Sequence, residues 1–320
     1  MINLFEVTIE VTQQCPNRCI YCSSLSGMDK SEALDYETIC GIVDDAAALG
    51  AKQINISGGE PLIRQDIADI LAYTHSKGLM VRLYSSGICF DGTYKSVPKD
   101  LLESIKDNVD CIIFNYESST PELYAKIMGT VPENLYLLED TIRTSLSLGI
   151  TVETHIVPMR CNFKQIPDTV ERLYSMGVSN VSVLRLVPQG RVVENQKDVI
   201  LSDGEAEDVR CMLTTLSQKY TEQLRLGKPY RSEKFTSCNT GTIRLAVRYD
   251  GYVFPCGAFK DGFMMFDDCA PENVKEKSLR CIYEKSQYIA NIRKGLQEYY
   301  LGEVIEPCFG QYCRKIKNYV

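Results

Sequence analysis

The chain has 320 residues, 44% apolar and 24% charged, with a formal net charge of −7. That balance suits a soluble globular protein with room for one large domain and a small one. The acidity and the lack of a Lys/Arg run argue against a nucleic-acid binder, and no apolar stretch is long enough to span a membrane. Met1-Ile2-Asn3-Leu4 opens without a basic n-region or a signal-peptide core. Fourteen cysteines in an unexported chain point to metal or redox chemistry in a reducing cytoplasm rather than to a disulfide framework.

Strand and helix patterns alternate along the chain. Strands are expected at 4–12, 52–57, 79–85, 109–116, 150–157 and 178–184. Helices are expected at 36–49, 66–77, 98–107, 120–127 with 133–148, 163–176 and 202–226. Thr120-Pro121-Glu122 reads as an N-cap, an N1 proline and an acidic first turn. Ser202-Asp203-Gly204-Glu205 reads as a capping box. Gly50, Gly78, Gly149 and Gly177 mark handovers from helix to strand. Six βα units in a row imply an α/β fold with a parallel sheet and helices outside it.

The strands are not continuous apolar runs, as a filled parallel barrel would require. Val7, Ile9 and Val11 oppose Glu6, Thr8 and Glu10; Ile54 and Ile56 oppose Gln53 and Asn55. Val81 and Leu83 oppose Arg82 and Tyr84, and Val152 and Ile156 oppose Glu153 and His155. Asn115 and Glu117 share one face. With apolar faces turned to the helices, the other face becomes a polar lumen suited to a polar ligand. An antiparallel sheet with one solvated face gives the same alternation, and the intervening helices speak against it. Beyond 226 the pattern changes. Gly227-Lys228-Pro229-Tyr230 begins a linker, 242–256 reads as a hairpin turning at Asp250-Gly251, and 276–300 reads as helical. Two units follow, 1–230 and 231–320.

Cys15, Cys19 and Cys22 stand at C-x3-C-x2-C spacing, and the next cysteine, Cys40, lies inside a helical pattern. A zinc site or an ordinary four-iron site takes four protein ligands. Three in one short loop suit a cubane with one iron left open. Three free thiols, or a zinc site completed from afar, are the plainer alternatives. Ser57-Gly58-Gly59-Glu60-Pro61 closes the second strand, and its glycines permit close backbone approach.

The order strand, C-x3-C-x2-C loop with Tyr21 before the third cysteine, helix, strand and Gly-Gly-Glu-Pro resembles the radical S-adenosylmethionine (SAM) superfamily over about residues 4–230. The resemblance implies a partial (β/α)6 TIM-like barrel. It implies a [4Fe–4S] cluster on Cys15, Cys19 and Cys22 whose fourth iron binds SAM, and reductive cleavage of SAM to a 5′-deoxyadenosyl radical that abstracts a substrate hydrogen. It makes Gly58, Gly59, Glu60 and Pro61 the seat of SAM, places Ser85 near it and puts Asn115 at its ribose. Arg185, in the similar segment Arg185-Leu186-Val187-Pro188-Gln189-Gly190-Arg191, can meet a carboxylate bidentately, although a surface arginine is equally common. His155 is a lumen residue by alternation, or a structural histidine.

Cys238 and Cys256 form C-x12-G-x4-C, and Cys308 and Cys313 form C-x4-C. This set resembles the C-terminal extensions called twitch and SPASM, the shorter of which binds one auxiliary [4Fe–4S] cluster in a small α+β domain. Cys269 and Cys281 are substitutes for the fourth ligand, and a four-cysteine zinc knot is the alternative. Relatives with such extensions often modify ribosomally made peptides. Because the chain opens directly on its first strand, an N-terminal peptide-recognition module of the kind many of them carry is not expected. The readings carried forward are a peptide-modifying enzyme fed by a flavodoxin- or ferredoxin-like donor, a small-molecule dehydrogenase, an iron–sulfur electron carrier, and a zinc-based nucleic-acid module disfavoured by the acidity.

Overall fold

The computed structural model describes residues 4–227, 230, 238–260, 269–301 and 308–316. Its strands are β1 (Glu6–Glu10), β2 (Gln53–Ser57), β3 (Met80–Ser85), β4 (Ile88–Phe90), β5 (Tyr94–Ser96), β6 (Cys111–Asn115), β7 (Val152–Ile156), β8 (Asn180–Val183), β9 (Leu224–Leu226), β10 (Arg244–Val247) and β11 (Val253–Phe254). Its helices are α1 (Tyr36–Ala48), α2 (Ile67–Ser76), α3 (Lys99–Ile105), α4 (Pro121–Met128), α5 (Asn134–Ser147), α6 (Ile166–Ser175), α7 (Gln196–Val199), α8 (Asp203–Lys219), α9 (Leu279–Lys285), α10 (Gln287–Leu301) and α11 (Phe309–Ile316).

Nine strands form one sheet in the order β11-β10-β1-β2-β3-β6-β7-β8-β9. All its pairs are parallel except β10–β11. The six expected βα strands are present, and the sheet is the open barrel that the alternation implied. Two additions extend it. The expected helix at 202–226 ends at Lys219, with Tyr220 at its C-cap. Leu224 and Leu226 then flank Arg225 in β9, which pairs with β8. The change from helical to two-residue periodicity falls within three strand residues, too few to be read from the sequence.

The hairpin expected at 242–256 also forms, but it is no separate sheet. Its first strand, β10, runs parallel to β1 with Glu6 opposite Arg244 and Ile9 opposite Val247. The helical stretch at 276–300 begins at Leu279 and is interrupted at Ser286, the C-cap of α9. Among the described residues no helix is long and apolar enough to cross a membrane.

Val7, Ile9, Ile54, Ile56, Val81, Leu83, Ile112, Phe114, Val152, Ile156, Val181 and Val183 are all fully buried between sheet and helices. Polar residues on the opposite face pair along and across strands. Gln53 donates to Glu6 (3.2 Å) and Asn55 (2.8 Å), and Asn55 donates to Thr8 (3.1 Å). Glu153 is shared between Arg82 and Arg225. A buried carboxylate needs such partners, and β3 and β9, each two strands from β7, supply them.

The helical layer has its own ionic joint. Glu139 on α5 accepts from Tyr116 Oη (2.8 Å), from Arg172 Nε and Nη2 on α6 (2.9 and 2.6 Å) and from Arg143 (2.8 Å). Burial opposes the charge, but these donors outweigh it and hold the carboxyl below its ordinary value. A depressed folded value stabilises the fold above the unfolded value, and the contribution is lost as pH falls through the folded one. Glu139→Gln is expected to cost about 1–3 kcal/mol in urea unfolding at neutral pH, discounted for two half-exposed arginines. The difference from wild type should shrink as the medium is made more acid than ordinary glutamate.

Candidate active site

Residues 12–27 make little regular structure, so their backbone groups need partners elsewhere. Loops at the C-terminal ends of several strands supply them. Gly59 N–H donates to the Thr12 carbonyl (2.6 Å) and Glu60 N–H to the Gln14 carbonyl (2.8 Å). Arg18 and Ile20 donate to the carbonyls of Met128 (3.0 Å) and Ile127 (2.9 Å) at the end of α4. Arg191 donates from its backbone to the Cys22 carbonyl (3.1 Å) and from its guanidinium to Cys19 (2.8 Å) and Ser26 (2.7 Å).

Contact this close leaves no space for side chains. A Cβ at Gly58 would lie 2.4 Å from the Thr12 carbonyl oxygen, and one at Gly59 would lie 2.0 Å from that of Gln14. Gly129 and Gly190, both left-handed at φ 60°, come as near to the carbonyls of Arg18 (2.3 Å) and Cys22 (2.4 Å). Gly58 and Gly59 therefore permit close approach to the cysteine loop itself.

Cys15, Cys19 and Cys22 line one cavity of about 270 Å³ with Gly58, Gly59 and Ser85. Burial, then neighbouring negative charge, pushes the Cys15 and Cys19 thiols well above the ordinary range. Four buried polar atoms on that wall lack a hydrogen-bond partner: both amide atoms of Asn17, Ser26 Oγ and Glu10 Oε2. Buried polar atoms are rarely left so, and a polar occupant suits the site. Among the described residues no three Cys, His, Asp or Glu side chains stand at metal-binding separation. Each thiol turns on a single χ1 bond.

Glu60 does not face the cavity. It is fully buried, accepts from Leu62 N–H (3.0 Å), Ser85 Oγ (2.8 Å) and Ser86 N–H (2.6 Å), and ties the β2 and β3 exits together. Pro61 opens the 3-10 turn Pro61–Ile63 beneath it. Asn115 lines the cavity and donates to Tyr21 Oη (2.9 Å), which donates to Glu117 (2.7 Å). Burial raises Glu117 to about 7 against the donors from Val157 and Tyr21.

Tyr84 and His155 line both this cavity and a second one, of about 720 Å³, on the same polar face. Their rings meet edge to face at 5.5 Å. Burial, then Arg82 and Arg225, pushes His155 down to about 3, so the imidazole is neutral. Cys238, Cys256 and Cys308 line the second cavity with Arg185, Arg225 and Thr240. Burial, then Cys308 and Cys238 in part, raises Cys256 to about 11, and burial followed by the same two thiols raises Cys313 to about 12. Cys238, Cys256 and Cys308 thus share one cavity wall, and Cys313 lies on α11, five residues past Cys308. Cys269 is bonded instead to Asn291 (3.3 Å), and Cys281 sits at the N-terminal end of α9.

Arg185, expected among the cofactor contacts, lies in the cavity of Cys238 and Cys256 and not in that of Cys15. Arg191, six residues on, is the side chain that reaches the cysteine loop. Lys260, just past the hairpin, enters the first cavity, pairs with buried Glu10 and donates to Ser24 Oγ (2.9 Å). The sequence carried a signal for Arg191, since Gly190 precedes it at a strand exit. Nothing local singled out Lys260.

The Radical SAM superfamily profile matches residues 9–173, just over half of the chain. The chain belongs to that superfamily and is a radical SAM enzyme, with SAM and a [4Fe–4S] cluster as cofactors. The thiol triplet, the glycine contacts and the unpartnered polar wall fit that pair. The PqqA peptide cyclase of Methylobacterium sp. (strain 4-46) is 30% identical over 283 residues, 87% of this chain and 72% of that protein. That of Ruegeria pomeroyi is 27% identical over 256 residues, 78% of this chain and 66% of its own, so the chain spans about two thirds of that relative. A probable GTP 3′,8-cyclase of Methanococcus maripaludis is 23% identical over 296 residues, 88% of this chain and 95% of that protein. Streptococcus suis SuiB bound to S-adenosylmethionine shares the fold at TM-score 0.73 and 16% identity, covering 92% of this chain and 68% of that one. anSMEcpe with bound AdoMet shares it at 0.66 and 11%, covering 93% and 86%.

Gly59→Ala should displace the cysteine loop, because the clash is with backbone. Iron retained at the first site after anaerobic desalting is expected to fall several-fold, while far-ultraviolet circular dichroism stays unchanged. Gly41→Ala, inside α1 with nothing within 4 Å of the new methyl, should keep the iron. It should raise stability by about 1 kcal/mol.

Proposed function

We propose that this radical SAM enzyme modifies a ribosomally made peptide, with a second [4Fe–4S] cluster on Cys238, Cys256, Cys308 and Cys313. In this reading residues 231–320 form the auxiliary-cluster unit of a cytoplasmic protein. The observation that carries the proposal is the shared lining of the two cavities. Tyr84 and His155 belong to both, so a residue held between them has one thiol group on each side. The relatives lend support. PqqA peptide cyclases are named for a peptide, SuiB is known with its precursor peptide SuiA, and anSMEcpe is known with a Cp18Cys peptide.

On Cys15, Cys19 and Cys22 the cluster would supply the electron that splits SAM into methionine and a 5′-deoxyadenosyl radical. The chain's own residues do the rest. Gly58 and Gly59 seat the methionyl end, with Glu60 and Pro61 bracing the loop. Ser85 and Asn115 face the nucleoside. Neutral His155 gives the lumen an acceptor beside the reacting residue. A flavodoxin- or ferredoxin-like protein is the external donor. A small anionic substrate is the second reading, favoured by the ionic lumen and by the GTP cyclase relative.

Wild type should hold about eight irons, two four-iron clusters. The Cys15→Ala/Cys19→Ala/Cys22→Ala variant should keep about half of them and form no 5′-deoxyadenosine with dithionite and SAM. Residual zinc in place of iron in that variant would contradict the second cluster, and continued SAM cleavage would contradict the first.

A further inference from the structure

The lumen wall is unbalanced in charge. Arg82 and Arg225 share Glu153, and Arg244 pairs with Glu6 (3.2 Å). Arg185 lines the same cavity, and no carboxylate among the described residues lies within 4 Å of it. Its hydrogen bond goes to the neutral amide of Gln311 on α11. Among the described residues four guanidinium groups thus face two carboxylates, inside a chain whose net charge is −7. A half-buried cation without a counter-charge is unfavourable, and a positive cleft in a negative protein draws an anion into it.

Two anions are on hand, the tail thiolates and a substrate carboxylate. Arg185 makes no hydrogen bond to Cys238, Cys256 or Cys308, the thiols that line the cavity with it. Arg185 extends from the exit of β8, two residues past Val183 and beside Leu184, on the wall that continues to Ser182 and His155. A guanidinium there offers a planar fork to a carboxylate.

We propose that Arg185 receives a carboxylate of the substrate, seating the reacting residue toward Tyr84 and His155. This deepens the peptide reading and rests on it, because a carboxylate is the anion a peptide brings, from an acidic side chain or from its C-terminus.

The test is equilibrium dialysis with anaerobic holoenzyme and SAM against four probes: acetyl-Gly-Glu-Gly-amide, acetyl-Gly-Gln-Gly-amide, acetyl-Gly-Gln-Gly with a free C-terminus, and glutarate. One carboxylate-bearing peptide should bind about tenfold more tightly than the neutral amide, and which one does so identifies the source. Arg185→Gln should level the probes with iron content and the cluster spectrum unchanged. Arg185→Lys should keep part of the preference, as the charge stays and the fork is lost. Glutarate binding that depends on Arg185, with no peptide bound, would uphold the anion site and remove the peptide reading. Equal binding of all peptides to wild type, a preference that survives Arg185→Gln, or no binding of any probe would overturn the proposal.

Discussion

The structure depends on backbone-to-backbone contact around the cysteine loop. A segment without regular hydrogen bonding is held in place because loops from other strands come near enough to pair with it. Gly59, Gly129 and Gly190 each approach a carbonyl oxygen so closely that a methyl group would lie 2.0–2.4 Å from it. Buried backbone groups must be paired, so the loop is not free to move away. The thiols, the β2 exit, the end of α4 and Arg191 therefore form one mechanical unit. Any group bound to the thiols is positioned by the whole rim of the barrel.

The second constraint is electrostatic. Two-residue alternation puts apolar side chains under the helices and leaves charged ones inside, where they must neutralise one another. Cross-strand pairing does this for Glu153, Glu6 and their arginines. It also ties the extension to the barrel, for Arg244 belongs to β10 and Lys260 reaches Glu10. The chemistry at the cysteine loop and the segment bearing the tail cysteines are thus joined by parallel strand pairing and by a buried ion pair.

Much of this was legible in the sequence. The period of the strands gave a polar lumen, and the glycines gave the handovers, because both follow from local geometry. The cysteine triplet and the two glycines of the Gly-Gly-Glu-Pro loop, read as neighbours in the sequence pattern, line one cavity. What escaped were interactions set by distance in space. Lys260 and Glu10 are 250 residues apart and meet only because β10 joins β1. Arg185 and Arg191 lie six residues apart past the β8 exit, the second in the short 3-10 turn Gly190–Val193, and no periodicity over so short a stretch says which side chain turns to which cavity. β9 was hidden by its length, three residues after a long helix.

The central claim is that one lumen joins two cysteine sites of unequal character. Electron paramagnetic resonance of the dithionite-reduced wild type, titrated with SAM, tests it most directly. The account predicts two four-iron signals, one that shifts as SAM binds at the open iron of the Cys15, Cys19 and Cys22 site, and one that SAM leaves unmoved because protein thiolates ligate every iron. A single signal converted in full by SAM would contradict it.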